Sequence, residues 1–245
     1  MLRPALVCAL LAITAHAGAA DLLVSAASSL TNAFNELGSS YEAANPGTKV
    51  LLNYGASGAL LQQISKGAPA DVLATADQET MDQAAAQKLI DPSGRRDFVG
   101  NTLVVVSPLD GRSALRQLSD LTRLGRVAIG APASVPVGRY AKKALEEAGL
   151  WTAVSTKAIT TQNVRQSLDY VARGEVDAAF VYATDAAQFK DKVHLAFTVP
   201  LAAAVRYPVA PVQTSAHAME ARRFIDYLRS PAGQAILGRY GFTQP

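Results

Sequence analysis

The stretch DLLVSAASSLTNAFNEL (21–37) decides how the chain is read. Leu22 to Ser25 is a short apolar run, and Leu30, Phe34, Leu37 and Tyr41 then recur at helical spacing, so a buried strand feeds directly into an amphipathic helix. The same alternation continues outward. Asn45, Pro46 and Gly47 end the helix, residues 49–54 read as a strand, and GASG (55–58) opens a second helix carrying Leu60, Leu61 and Ile64, stopped at Gly67. Residues 71–75 form the next strand, and Asp77 is placed to cap a third helix reaching about Ile90. Strands alternating with helices are the mark of a parallel sheet.

A valine-rich run at 99–107 reads as one strand, after which a second alternation begins. Its strands are 127–130, 158–160 and 176–182, with helices from Pro136 to about Gly149 and from Asn163 to Arg173. A further strand at 205–212 leads into closing helices at 216–228 and 231–240. Two successive units of this kind predict two α/β lobes, each a mostly parallel sheet flanked by helices. Ligands of such sheets sit beyond the carboxyl ends of strands, where helices begin.

Composition bounds the function. The chain has 245 residues, 49% of them apolar, and 23 basic against 20 acidic side chains. That is enough apolar residue to bury one large or two modest cores, and the charge balance leaves no basic stripe for nucleic acid. Met1 to Arg3 is a short basic start, residues 4–14 are apolar, and Ala15, Ala17 and Ala19 supply small-x-small cleavage patterns. This predicts a signal peptide over residues 1–20, cleaved near Ala19 or Ala20, and an exported, periplasmic protein. The single cysteine, Cys8, lies inside the apolar run, so the exported chain has no thiol for a disulfide or a thiolate metal site. His194 and His217 lack ligand spacing, so no cofactor or histidine metal centre is expected.

Four strand-to-helix junctions stand out: Ser28 and Ser29, the 55–58 stretch, Val135 to Gly138, and Gln162 to Val164. All are small, uncharged or apolar. Helix N-termini present unpaired N–H groups and about half a positive charge each, so several aimed at one point make an anion site without a lysine. Each junction alone is as readily a helix cap or a packing glycine. Arg139 and Arg165 oppose the helix dipole where they stand, and a solvated face is the ordinary reading of both.

Seven blocks, SAASSLT (25–31), GASG (55–58), GAPADV (67–72), GNTLVVV (100–106), VPVGRYA (135–141), VYATDA (181–186) and RYGF (239–242), run in order through the chain. Together they resemble the periplasmic molybdate-binding protein family of bacterial ABC importers. The resemblance implies a two-lobed periplasmic binding protein fold closing on a dehydrated oxyanion, with chain crossings near Asn101 and Arg206. Lobe 1 would then comprise residues 21–101 and 206–245, and lobe 2 residues 102–205. It also implies that Ser29 and Ser57 donate from hydroxyl and backbone N–H, that Val137 and Val164 donate backbone N–H, and that Tyr182 donates its hydroxyl. Molybdenum would be held as molybdate, or tungsten as tungstate, through its oxygens. A membrane permease is the implied partner, and a monomer the implied state. Val137 stands where the family often has alanine, which bears on pocket volume.

Rival readings are a sulfate or phosphate receptor of the same architecture, and a secreted serine hydrolase built on Ser57. The hydrolase motif requires Gly-x-Ser-x-Gly, and Ala59 stands in the last place. A phosphate site commonly needs an acceptor for the anion's proton, and Asp71 and Asp185 are the carboxylates near the named blocks. Asp185 reads more simply as a helix cap.

Overall fold

The computed structural model describes residues 20–111 and 114–245. The expected signal segment lies outside them except at Ala20, where β1 (Ala20–Ala27) begins. The apolar side chains of β1, Leu22, Val24 and Ala26, are buried, and a 3-10 turn at Ser28–Leu30 joins the strand to α1 (Thr31–Ala44). There follow β2 (Thr48–Gly55), α2 (Ser57–Ser65), β3 (Val72–Ala74) and α3 (Gln78–Ala86). Asp77 caps α3 by accepting from the Thr80 N–H, and the helix ends at Ala86, four residues short of the expected end.

The valine-rich run divides. β4 (Arg96–Asn101) and β5 (Leu103–Pro108) lie in different sheets, because the chain passes between lobes at Thr102. The second unit holds β6 (Val127–Gly130), α4 (Pro136–Glu147), α5 (Trp151–Ser155), β7 (Ala158–Thr161), α6 (Val164–Ala172), β8 (Ala178–Tyr182), α7 (Ala183–Gln188) and β9 (Val193–Thr198). The chain returns through β10 (Val205–Pro211) and closes with α8 (Ala218–Arg229) and α9 (Pro231–Arg239).

One sheet has the order β2-β1-β3-β10-β4, the other β7-β6-β8-β5-β9. Each has a parallel three-strand core, β1 between β2 and β3 and β6 between β7 and β8. The strands entering or leaving a crossing, β4, β5, β9 and β10, pair antiparallel. Val205 falls in the span expected for lobe 2, yet it pairs with Asn101 in the first sheet. In that lobe Phe34, Tyr41, Phe98 and Phe224 pack edge to face or tilted, with ring centroids 5.2 to 6.3 Å apart. Burial of each such ring stabilises the lobe by roughly 1.5–3 kcal/mol. Among the described residues no helix is long and apolar enough to cross a membrane.

The alternation of strand and helix places the carboxyl ends of β1, β2, β6, β7 and β8 next to helix N-termini. These ends face one another across the seam between the lobes.

Candidate functional site

Ser29 lies in the turn that starts α1, Ser57 is the first residue of α2, Val137 the second of α4 and Val164 the first of α6. Tyr182 ends β8. All five line one small cavity of about 200 Å³ between the lobes, together with Ser28, Gly55, Ala56, Ala76 and Pro136. Among the described residues no charged side chain lines it. The space within it that a water molecule can reach is about 10 Å³, room for roughly one water, so the site suits only a small solute. Larger hollows, such as one of about 1330 Å³ bordered by Gln78, Tyr140 and Lys142, are open grooves on the outside of the seam.

Proximity of backbones makes the cavity tight. The Gly58 N–H, from the first lobe, donates to the Ser134 carbonyl of the second at 3.0 Å, and a Cβ on Gly58 would come within 2.7 Å of that oxygen. A Cβ on Gly138 would meet the Gly130 carbonyl oxygen at 1.9 Å, so only glycine lets α4 begin this close to the end of β6.

The polar atoms are arranged as donors. The Ser57 hydroxyl oxygen accepts from the Ala76 N–H at 3.0 Å, which leaves its hydrogen for the cavity. The Ser29 hydroxyl pairs with the Tyr207 hydroxyl at 2.9 Å. Tyr182 is 1% exposed and its hydroxyl has no hydrogen-bond partner among the described residues. Burial holds that phenol well above its ordinary pKa, so it stays protonated and able to donate. Backbone N–H groups of Ser57, Val137 and Val164 stand in first helical turns, where no intrahelical acceptor exists.

Charge sits one layer back, paired. Arg139 is not on a solvated face: its side chain is 14% exposed, and it crosses from α4 to the first lobe. There its Nε lies 2.7 Å from Asp77 Oδ2 and its Nη2 2.6 Å from Thr80 Oγ1. Arg165 lies 2.9 Å from Asp185, which is fully buried in the first turn of α7. Neither group forms a well-directed hydrogen bond in that pair, so they attract as charges. Burial raises the Asp185 carboxyl to about 6, against the opposing pull of Arg165. Neither carboxylate proposed as a proton acceptor reaches the cavity, since Asp71 is engaged by the Leu23 N–H and the Ser215 hydroxyl.

His217 does have an acidic neighbour, Asp71, at 3.4 Å, which the sequence did not reveal. Ser215 donates to that same carboxylate, so the cluster offers no serine-to-histidine relay, and among the described residues no histidine lines the cavity with Ser57. Among the described residues no group of three His, Cys, Asp or Glu is placed to hold a metal ion.

Residues 22–243 match the family model described as bacterial extracellular solute-binding protein. The chain belongs to that family. It is a solute-binding protein and not an enzyme. It is 38% identical over 232 residues to the molybdate-binding protein ModA of Escherichia coli (strain K12), covering 91% of this chain and 88% of that one. It is 36% identical to the putative ABC transporter substrate-binding lipoprotein YvgL of Bacillus subtilis (strain 168), covering 91% and 86%. Among solved structures, the substrate-binding domain of a putative molybdenum ABC transporter from Clostridium difficile aligns with a TM-score of 0.69 at 31% identity, over 92% of this chain and 99% of that one. The periplasmic molybdate-binding protein of Azotobacter vinelandii shares the fold, with a TM-score of 0.81 at 22% identity over 91% and 99%.

Sequence reasoning missed Tyr207, Asn101 and the Arg139 bridge. Tyr207 sits in an apolar strand and reads as core. Its polar tip acquires a role only through Ser29, 178 residues away.

Proposed function

We propose that this chain captures molybdate or tungstate in the periplasm and delivers it to the permease of an ABC importer. The observation that carries the reading is a small cavity furnished with donors and lined by no charged side chain. A tetrahedral dianion brings only acceptors, which is what hydroxyls and helix-start N–H groups require. With the lining lacking thiol, imidazole and carboxylate, molybdenum would be bound through its oxygens and not ligated directly. Neutral donors do not sense small charge differences among dianions, so selection rests on size and protonation. Sulfate, a smaller tetrahedron, would leave stretched hydrogen bonds. Hydrogen phosphate would turn an O–H toward donors.

The names of the relatives at 38% and 31% identity support the same ligand class. In this reading the signal segment 1–20 directs export, the protein acts as a monomer and no cofactor takes part. Calorimetry against molybdate, tungstate, sulfate and phosphate tests it. Molybdate and tungstate should bind within about tenfold of each other and sulfate at least roughly a hundredfold more weakly, a gap of about 2.7 kcal/mol. Sulfate displacing molybdate at comparable concentration would overturn the ligand while leaving an oxyanion receptor.

A further inference from the structure

Behind Ser29 lies a buried chain of polar groups that ends at the crossings between the lobes. Asn101, the last residue of β4, receives the Thr102 N–H on its Oδ1 at 2.8 Å. A backbone amide only donates, so that atom is the oxygen and the orientation of the Asn101 side chain is settled. Its Nδ2 then spends its two hydrogens on Thr184 Oγ1 at 2.9 Å and on the Tyr207 hydroxyl oxygen at 3.2 Å. Tyr207 is fully buried, and its own hydrogen has one acceptor within reach among the described residues, Ser29 Oγ at 2.9 Å. Leaving a buried O–H unbonded is strongly disfavoured. Burial, followed by the nearby charge of Asp185, keeps this phenol protonated. The order of donation is therefore Asn101 to Tyr207 to Ser29. One lone pair of the Ser29 oxygen is thereby taken, and its hydrogen, which Tyr207 no longer needs, is free to face the cavity.

We propose that Tyr207, held by Asn101, is a positioning and specificity-determining residue that takes one of the two lone pairs of Ser29 and turns its hydrogen toward the cavity, so that an anion carrying its own O–H is met there by a donor. The inference rests on the oxyanion reading of the cavity. Ser57, whose oxygen accepts from the Ala76 N–H, is biased in the same sense. Tyr207→Phe keeps the ring and its contacts with Tyr182 and Phe242, at 5.7 and 5.6 Å between centroids, and removes two hydrogen bonds, the one to Ser29 and the one from Asn101. Ser29 then recovers a lone pair that hydrogen phosphate can use, and it loses the polarisation that strengthens its own donation.

The test is calorimetry of the full exported chain with molybdate and with inorganic phosphate, at a pH where phosphate is the dianion. Parent, Tyr207→Phe, Ser29→Ala and the double variant are compared. The expected result is molybdate binding weakened about fivefold by Tyr207→Phe, and the molybdate-over-phosphate ratio narrowed by about tenfold. In the Ser29→Ala background the same substitution should change either affinity by less than about twofold. An unchanged ratio in Tyr207→Phe, or equal effects in both backgrounds, overturns the inference and leaves Tyr207 a packing residue. If Ser29→Ala binds too weakly to measure, the ratio in Tyr207→Phe alone decides. A parent that binds phosphate but no molybdate overturns the functional reading itself, and this inference with it.

Discussion

The Ser29 and Ser57 hydroxyls line the cavity from positions 3% and 0% exposed. In so dry a site, removing one donor to a charged ligand costs about 1.5–3 kcal/mol. Ser29→Ala and Ser57→Ala should each weaken molybdate on the order of tenfold to a hundredfold by calorimetry, and parent-like binding in both would remove the assignment. In the proposed site Val137 would contribute through its backbone, its 1% exposed side chain setting volume rather than hydrogen bonding. That these positions line one cavity was legible because each belongs to a short local block. Tyr207, Asn101 and Arg139 were not, since what defines each is a partner 59 to 178 residues distant.

At the scale of elements, helix starts were readable from turn chemistry. Asp77 caps α3 as its position suggested, and Asn163 caps α6, each accepting from an N–H three residues on. The division of the 99–107 run between two sheets was not readable, because a lobe crossing needs no glycine or proline to mark it. β9 was also missed, its exposed His194 and Leu195 giving no alternating pattern. The Arg165 and Asp185 pair, read from sequence as solvated face and helix cap, instead ties α6 to α7 beside two of the proposed donors. Because burial raises the Asp185 carboxyl from 3.8 to about 6, the folded state holds this proton more tightly than the unfolded chain. The contribution of Asp185 to stability is therefore greatest below about 3.8 and is lost as pH rises through about 6. Melting temperatures of parent and Asp185→Asn across that window should converge at its acid end and separate toward neutrality. Parallel curves would show that Asp185 does not titrate there.

Over the whole molecule, the two-lobe plan could be read from the repeated alternation of strand and helix, but what fastens the lobes together could not. Arg139 from α4 reaches Asp77, which is 6% exposed, and Thr80, while its Nη1 lies 3.2 Å from the Pro132 carbonyl of its own lobe. The contacts of Arg139 with Asp77 and Thr80 cross the seam, so they hold the lobes in the arrangement seen here. Arg139→Gln should therefore speed release of molybdate by roughly tenfold to a hundredfold in stopped-flow measurements, with little change in association. Asp77→Asn, which keeps an oxygen to cap Thr80, should act alike, and unaltered release in both would show the bridge to be idle. Closure around a ligand also predicts a smaller radius of gyration and a higher melting temperature with molybdate than without. The central claim is that donors from both lobes converge on one dehydrated oxyanion. A crystal structure of the molybdate complex, with data collected at the molybdenum edge, tests it most directly. The account predicts one anomalous peak within hydrogen-bonding reach, through oxygen, of Ser29, Ser57, Val137, Val164 and Tyr182. A peak outside this cavity, or one ligated directly by a protein side chain, would contradict it.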